Sequence, residues 1–312
     1  VKVNAGSTLN LKSAVTGSND FPYLLNNYNQ IDDGTGKTGI GGAINNEGTV
    51  VIDAASIFGN HALNGGAIYN TGTLIMNDGA IYGNEAVSAA SGQGNGGAIY
   101  NTGSAVCKIY GGTIGSGSPI QEIQAGNYAS TSGGGIYREL ASEIYLHGNV
   151  NVWGNTVQSG LEEIDDNINL GHYIESGTSK PYQLIVDGPI AMPYPNQGIG
   201  ITPAAEISTT GSQFAINQTL DENLNALSFR RDTNPEFMYG AIPVGENEKI
   251  VWHTDPVNVY FHNNYDPPMV KTAEVEFGTA LTEQFNPSRP SYKFGGWYYD
   301  EACTQPYSYA TK

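Results

Sequence analysis

The chain repeats one octapeptide, Gly-Gly-Ala-Ile-Tyr-Asn-Thr-Gly, at residues 65–72 and again at residues 96–103. Shorter copies stand at residues 41–46 (Gly-Gly-Ala-Ile-Asn-Asn) and 133–137 (Gly-Gly-Gly-Ile-Tyr). The copies therefore begin at residues 41, 65, 96 and 133, in steps of 24, 31 and 37 residues. Self-similarity at a period of about 20–50 residues is typical of a solenoid, in which each repeat stacks on the next.

A second motif, an apolar residue followed by any residue and then Gly-Asn, alternates with the octapeptide at residues 57–60, 81–84 and 152–155. The segments between the motifs, such as residues 49–52 and 73–76, are short, rich in β-branched residues and bounded by glycine or asparagine. They are too short for a helical period, so they predict strands. A repeat of about 24 residues with two or three strands predicts one coil of a parallel β-helix, in which each coil pairs with the next at about 4.8 Å.

Stacking of equivalent residues makes the prediction specific. One interior column is expected at Ile44, Ile68, Ile99 and Ile136, and a second at Ile57, Ile81, Ile114 and Val152. Because side chains alternate along a strand, the neighbouring tyrosines are expected to point outward: Tyr69, Tyr100 and Tyr137. The chain is expected to turn at four corners, at Asn60, Asn84, Asn127 and Asn155, because asparagine tolerates a left-handed backbone conformation and its side chains can form hydrogen-bonded ladders. The paired glycines are expected to supply positive φ.

The first coil is less regular, and we place its Gly-Asn corner at residues 17–19, followed by a surface loop inserted over residues 20–38. Further insertions fall at residues 87–95 and between residues 114 and 126. All three precede a double glycine, which is compatible with a binding face on one side of the solenoid. Neutral variation of length at a tolerant corner explains the grouping equally well.

The repeat decays over residues 161–254, which predicts irregular last coils and a cap that covers the open end of the core. The composition changes after Asp255-Pro256. We therefore divide the chain into residues 1–255, the β-helix with its cap, and residues 256–312, a small β-rich module.

The composition excludes several classes of partner. With 30 acidic and 13 basic residues among 312, the net charge is −17, which disfavours nucleic acid and anionic membranes because both require clustered Lys and Arg. No apolar run is long enough to span a membrane, so no membrane insertion is expected in this segment. The two cysteines, Cys107 and Cys303, are expected to be free, with Cys107 inside a coil. We predict no cofactor and no metal site, since the pair Asp32-Asp33 is a weak calcium pattern.

The Gly-Gly-Ala-Ile-Tyr-Asn and Ile-x-Gly-Asn motifs resemble those of right-handed β-helix surface proteins of the adhesin and autotransporter-like group. Chlamydial polymorphic outer-membrane proteins share the Gly-Gly-Ala-Ile element but alternate it with Phe-x-x-Asn, a spacing that Phe58-Gly59-Asn60 misses by one residue. The resemblance covers about the first half of the chain and implies a right-handed parallel β-helix.

The C-terminal module resembles the Listeria–Bacteroides repeat, the B repeat of internalin-type proteins. The matching segments are residues 259–261, 275–279, 286–298 and 303–304. The resemblance implies a β-grasp-like fold and a secreted, wall-attached bacterial protein. Such repeats end in a further strand, and since the sequence given stops at Lys312 without it, we expect the module to be truncated.

Parallel β-helices include polysaccharide hydrolases and lyases, so an enzyme is one alternative. Inverting hydrolysis requires two carboxylates about 6.5–9.5 Å apart, and the candidates are Asp165 and Asp166 with His147 and Arg138. The Asn-Thr-Asp and Arg-x-Lys signatures of polygalacturonases are missing from the sequence. The simpler interpretation is a solvated turn at Asp165-Asp166 and a surface histidine.

The sequence therefore favours an all-β, non-enzymatic adhesin-like protein, secreted and held at the bacterial cell surface, whose stiff solenoid contacts a host or matrix protein or a glycan. Aromatic rings bind sugars and anchor protein interfaces, so the predicted ligand-binding residues are Tyr69, Tyr100 and Tyr137. A ladder that only stabilises the sheet is the competing interpretation of these tyrosines. A purely structural spacer is the remaining alternative for the whole protein.

Overall fold

The computed structural model describes the residue ranges 1–12, 23–29, 39–88, 92–116, 125–139, 141–175, 178–190, 198–202, 213–217, 229–232, 240–242, 248–251, 257–262, 270–275 and 287–298, with residues 303 and 306. These ranges contain strands and turns, and no helix in them could cross a membrane. The protein is all-β, as predicted.

The strands follow one another coil by coil. The first three coils are β1 (Lys2–Val3), β2 (Thr8–Leu11), β3 (Tyr23–Leu25) and β4 (Tyr28–Asn29); β5 (Ile44–Asn46), β6 (Thr49–Ile52), β7 (Ser56–Phe58) and β8 (His61–Ala62); and β9 (Ile68–Asn70), β10 (Thr73–Met76), β11 (Ala80–Tyr82) and β12 (Glu85–Ala86). The next two are β13 (Ile99–Asn101), β14 (Val106–Gly115) and β15 (Tyr128–Ala129); and β16 (Ile136–Arg138), β17 (Glu143–Trp153) and β18 (Thr156–Ser159).

Later strands are less regular. They are β19 (Glu162–Asp165), β20 (Ile168–Asn169), β21 (His172–Glu175), β22 (Thr178–Pro181), β23 (Leu184–Ile190), β24 (Ile199–Thr202), β25 (Gln213–Asn217), β26 (Phe229–Arg231), β27 (Gly240–Ile242), β28 (Glu248–Val251), β29 (Val257–His262) and β30 (Val270–Val275). Each antiparallel strand pair of the described ranges includes at least one of these strands: β18–β19, β21–β22, β25–β28, β27–β28 and β29–β30.

The strands of successive coils pair in parallel, and together with the antiparallel strands β27 and β28 they form one 20-stranded sheet that wraps into a nearly closed tube. Both predicted columns are confirmed by the strand register, which aligns Ile44, Ile68, Ile99 and Ile136, and separately Ile57, Ile81, Ile114 and Val152. All eight side chains are fully buried, and each such aliphatic group contributes roughly 1.5–3 kcal/mol. The fold is therefore the predicted parallel β-helix.

A second, six-stranded sheet has the order β19-β18-β15-β12-β8-β4. Of its strands, β4, β8, β12 and β15 each lie between an asparagine corner and the next double glycine. The first glycine has positive φ, between 63° and 68° at Gly41, Gly65, Gly96 and Gly133, as expected. The second glycine does not, and it is required for a different reason: a Cβ on Gly97 would collide with the carbonyl oxygens of Tyr128 and Gly134 in the next coil.

The asparagine corners are joined by a buried side-chain ladder, as predicted, but their backbone differs from the prediction. Asn60, Asn84 and Asn155 are not left-handed; the preceding glycines have the positive φ, between 57° and 66°. The predicted position of the first corner, residues 17–19, was also wrong. The corner lies at Asn26-Asn27, where Asn26 has φ 52° and the Asn27 side-chain amide donates to Asn60 Oδ1 at 2.7 Å. β3 and β4 thus complete the first coil within the predicted insertion, whereas residues 17–19 lie outside the described ranges.

Neither cysteine forms a disulfide, as predicted; Cys107 is buried and Cys303 is exposed. Burial raises the pKa of the Cys107 thiol to about 12. In the C-terminal module, β29 and β30 form a hairpin, and Phe261 packs against Trp297 with ring centroids 4.8 Å apart. The β-grasp arrangement and the division of the chain near residue 255 stay predictions.

Candidate functional site

The tyrosine column, defined as Tyr69, Tyr100 and Tyr137, lies on the outer surface of β9, β13 and β16. The register places the three residues directly above one another, and each follows a buried isoleucine by one position, so its side chain points away from the core. Adjacent rings stack, with centroids 5.1 Å and 5.4 Å apart. The three rings thus form a continuous aromatic row across three coils.

The middle ring has little contact with solvent. Tyr100 is only 5% exposed because both of its faces are covered by its neighbours, whereas Tyr69 and Tyr137 are half-buried. A ligand that approaches from solvent therefore meets ring edges and hydroxyl groups rather than a flat aromatic face. The stack itself stabilises the sheet, as cross-strand aromatic pairs do.

Glu139 lies beside the hydroxyl groups of the column. Tyr100 donates to Glu139 Oε2 at 2.5 Å, and the Thr102 hydroxyl donates to the same oxygen at 2.6 Å. Burial first, and then the hydrogen bond to Glu139, raises the pKa of Tyr100. Within the described part of the chain, the hydroxyls of Tyr69 and Tyr137 have no hydrogen-bond partner, so two neutral hydroxyls and one carboxylate are available on this surface.

A second group of polar aromatic residues, the His147 cluster, is defined as Tyr110, His147 and Asp187 on the outer surface of β14, β17 and β23. The rings of Tyr110 and His147 stack with centroids 3.6 Å apart. His147 Nδ1 lies 2.9 Å from Asp187 Oδ1, and the Tyr110 hydroxyl donates to Asp187 Oδ2 at 3.2 Å. Because a carboxylate only accepts, Nδ1 is the donor in this contact.

Further polar contacts adjoin the His147 cluster on β14 and β17. Tyr145 donates its hydroxyl to Glu143 Oε2 at 2.9 Å, and Lys108 Nζ lies 5.4 Å from the centre of the Tyr145 ring. Burial and the neighbouring Asp187 raise the pKa of Tyr110 to about 12. The surface therefore presents hydroxyls, carboxylates and one imidazole, which can exchange hydrogen bonds with a polar ligand.

Aromatic residues also pair on the surface of earlier coils. Phe58 and Tyr82 stack with centroids 5.0 Å apart, and Tyr23 meets the Phe58 ring edge-on at 6.0 Å. Tyr28 stacks on His61 at 4.3 Å, and His61 Nδ1 lies 3.1 Å from Glu85 Oε2. Stacking of outward aromatic residues is thus a general property of these coils and is not confined to the predicted site.

The four candidate residues for glycan hydrolysis do not form hydrogen bonds or ion pairs with one another in the described structure. Asp165 is exposed on β19, whereas Asp166 is buried and accepts the Gly133 N–H at 2.8 Å. The solvated turn predicted for both acids is therefore wrong for Asp166. His147 pairs with Asp187, and Arg138 donates to the main-chain carbonyls of Ser142 and Gln183.

Sequence reasoning missed Asp187 and Tyr110, since neither belongs to a repeated motif. The sequence analysis predicted no metal site. Among the described ranges, there is no group of three or more His, Cys, Asp or Glu side chains that could hold a metal ion. Asp32-Asp33 and most of the loop of residues 114–126 lie outside the described ranges.

Comparison with known proteins identifies a Listeria-Bacteroides repeat domain at residues 258–312. A protein of Evansella cellulosilytica that carries the provisional name Gly-rich membrane protein is 31% identical over 84 residues, which are 27% of this chain and 8% of the relative. The chain thus spans less than a tenth of the relative that it matches. No solved structure matches the chain.

Proposed function

We propose that this protein is a non-enzymatic, adhesin-like protein of the bacterial cell surface, and that the tyrosine column with Glu139 binds a glycan. The observation that carries the proposal is the pair of hydroxyls on Tyr69 and Tyr137, which have no partner among the described residues and flank the Tyr100–Glu139 hydrogen bond. Three successive coils repeat the tyrosine hydroxyl, each one strand spacing further along the tube. Such a row suits an extended polysaccharide, whose hydroxyls also repeat along one axis.

The surface location is supported by the two comparisons. The repeat domain belongs to a type found in surface proteins, and the relative's name places that protein in a membrane. The low content of Lys and Arg fits the same proposal. A protein ligand is less well supported, because the column exposes polar edges rather than the apolar anchors that dominate protein interfaces.

Removal of single hydroxyls tests the binding site. The full chain is first bound to a glycan array, and the strongest glycan is then titrated calorimetrically. We expect Tyr69→Phe and Tyr137→Phe each to weaken binding roughly twofold to tenfold, since one hydrogen bond contributes about 0.5–1.5 kcal/mol. Tyr82→Phe is the matched control, because this tyrosine stacks on Phe58 at another position of the coil, and it is expected to bind like the wild type.

An equal loss in Tyr82→Phe and Tyr137→Phe would contradict a site on the tyrosine column. If the chain bound immobilised matrix proteins but no glycan, the ligand would be a protein and not a glycan. If it bound neither, the structural spacer would be favoured.

A polysaccharide-active enzyme is the second candidate, and the hydrogen bond between His147 and Asp187 favours it because a carboxylate that fixes the imidazole is common in general bases. The same glycans are therefore incubated with the wild type and with His147→Gln. We expect no new reducing ends from either protein. Release that depends on His147 would overturn the non-enzymatic proposal.

A further inference from the structure

The buried asparagine ladder ends in an acid. Each asparagine donates its side-chain amide to the Oδ1 of the next, at 2.8 Å between Asn60 and Asn84 and through each later step to Asn167. Asn167 then donates its side-chain amide to Asp232 Oδ1 and its backbone N–H to Asp232 Oδ2, both at 2.7 Å. The last member of a one-way ladder only has to accept, so a carboxylate fits this position.

A second buried acid, Asp166, adjoins this end of the ladder. Its Oδ2 accepts the Gly133 N–H at 2.8 Å and the Asn169 amide at 3.3 Å. Its Oδ1 is buried and has no hydrogen-bond partner in the described part of the chain. Since a buried polar atom normally has a partner, an unpartnered carboxylate oxygen calls for a physical explanation.

Thr202 is a neighbour of both acids. Its hydroxyl donates to Asp232 Oδ2 at 2.9 Å, and the same hydroxyl lowers the pKa of Asp166. Asp166 is 3% exposed and Asp232 is 9% exposed. Burial raises the pKa of both carboxyl groups, and the charge of Asp166 raises that of Asp232 further. Within the described ranges, neither acid is paired with a lysine, arginine or histidine.

Two buried carboxylates whose charges repel each other are costly without a cation. We infer that Asp166, Asp232 and Thr202 bind one calcium ion at the end of the asparagine ladder, with Asp166 Oδ1 as a ligand and Asn169 and Asn167 as positioning residues. All three ligands are hard oxygen donors, which suit Ca²⁺ and Mg²⁺. Three protein ligands leave the remaining positions to water for either ion. Ca²⁺ is the expected ion because it accepts irregular geometry and variable ligand number, whereas Mg²⁺ demands a near-ideal octahedron.

Calcium would tie together three segments that are distant in sequence. Asp166 precedes β20, Thr202 ends β24 and Asp232 follows β26, and these strands build the last coils of the tube. The inference is independent of the proposed glycan site. It makes the C-terminal end of the solenoid dependent on the calcium concentration outside the cell.

The experiment titrates the EDTA-treated full chain with CaCl₂ and, separately, with MgCl₂ in a calorimeter, and follows thermal unfolding by circular dichroism. We expect one Ca²⁺ site with a Kd on the order of 10⁻⁴–10⁻³ M, the range of extracellular modules, and a rise of the melting temperature with Ca²⁺. Asp166→Asn is expected to weaken Ca²⁺ binding about tenfold or more, because it removes one ligand charge. Asp165→Asn, which changes the exposed neighbour, is expected to bind within about twofold of the wild type.

A second readout separates loss of binding from loss of fold. Asp166→Asn removes the repulsion between the acids, so without calcium it should unfold at the same temperature as the EDTA-treated wild type or above it. Binding that is equal in the wild type and Asp166→Asn would overturn the site. So would the lack of any effect of Ca²⁺, or stabilisation that requires acidification instead, because the two acids would then share a proton.

Discussion

Replacement of Gly97 by alanine is expected to destabilise the solenoid by at least about 3 kcal/mol. Gly97 has an ordinary φ, so alanine introduces no backbone strain at this position. Its Cβ would instead lie 2.5 Å from the Tyr128 carbonyl oxygen and even closer to that of Gly134. Both are backbone atoms of coils that are hydrogen-bonded to further coils, so neither can move without disrupting the register, and overpacking of this kind is costly.

Urea unfolding followed by far-UV circular dichroism measures the effect as a lower midpoint. Gly83→Ala is the matched control. Gly83 has φ 57°, but a Cβ there would meet nothing within 4 Å, so only the left-handed backbone penalty of about 1–2 kcal/mol applies. If Gly83→Ala were the more damaging of the two, the close approach of neighbouring coils at the double glycine would be refuted.

Replacement of Asn84 by alanine is expected to cost about 3 kcal/mol or more. Asn84 is fully buried in the middle of the ladder and donates to the Tyr82 carbonyl at 3.0 Å and to Asn127 Oδ1 at 2.8 Å. Its own Oδ1 accepts the Asn60 backbone N–H at 3.0 Å. Alanine leaves that buried N–H without an acceptor, which alone costs about 1–3 kcal/mol, and adds a cavity in a packed corner.

The control for Asn84 is Asn77→Ala. Asn77 donates to Asp53 Oδ1 of the neighbouring coil at 2.6 Å in a single exposed pair, where water replaces the lost bond, so the expected change is within about 0.5 kcal/mol. The same urea unfolding experiment compares the two variants. Equal midpoints for both would show that burial of the asparagine ladder contributes little to stability.

The tube was predictable because its residues repeat. The isoleucine columns and the outward tyrosines follow from period-2 alternation within motifs that recur in every coil. The separate roles of the two glycines were not predictable, since both look alike in the sequence and only the packing of the next coil distinguishes Gly97 from Gly96. The first corner was misplaced because Asn26-Asn27 lacks the glycine that marks later corners.

In the candidate sites too, the residues of the repeated motifs were predictable and the others were not. The column of Tyr69, Tyr100 and Tyr137 could be named from the sequence, whereas its contact with Glu139 depends on the length of the following turn. Asp187 and Asp232 come from the irregular coils, where no repeat indicates which residues stack. Their partners His147 and Asp166 were considered only as candidates for hydrolysis, because the sequence alone gave no reason to pair them with acids so far along the chain.

Disulfide formation between neighbouring coils tests the register most directly. In a chain with Cys303→Ser, the pair Thr49→Cys and Thr73→Cys places two thiols at directly aligned positions of β6 and β10, within the separation that a disulfide requires. The pair Thr49→Cys and Ile75→Cys is offset by two residues and lies beyond it. The account predicts rapid oxidation of the first pair, measured by mass spectrometry, and little oxidation of the second; equal oxidation of both, or faster oxidation of the offset pair, would contradict the coil-on-coil register.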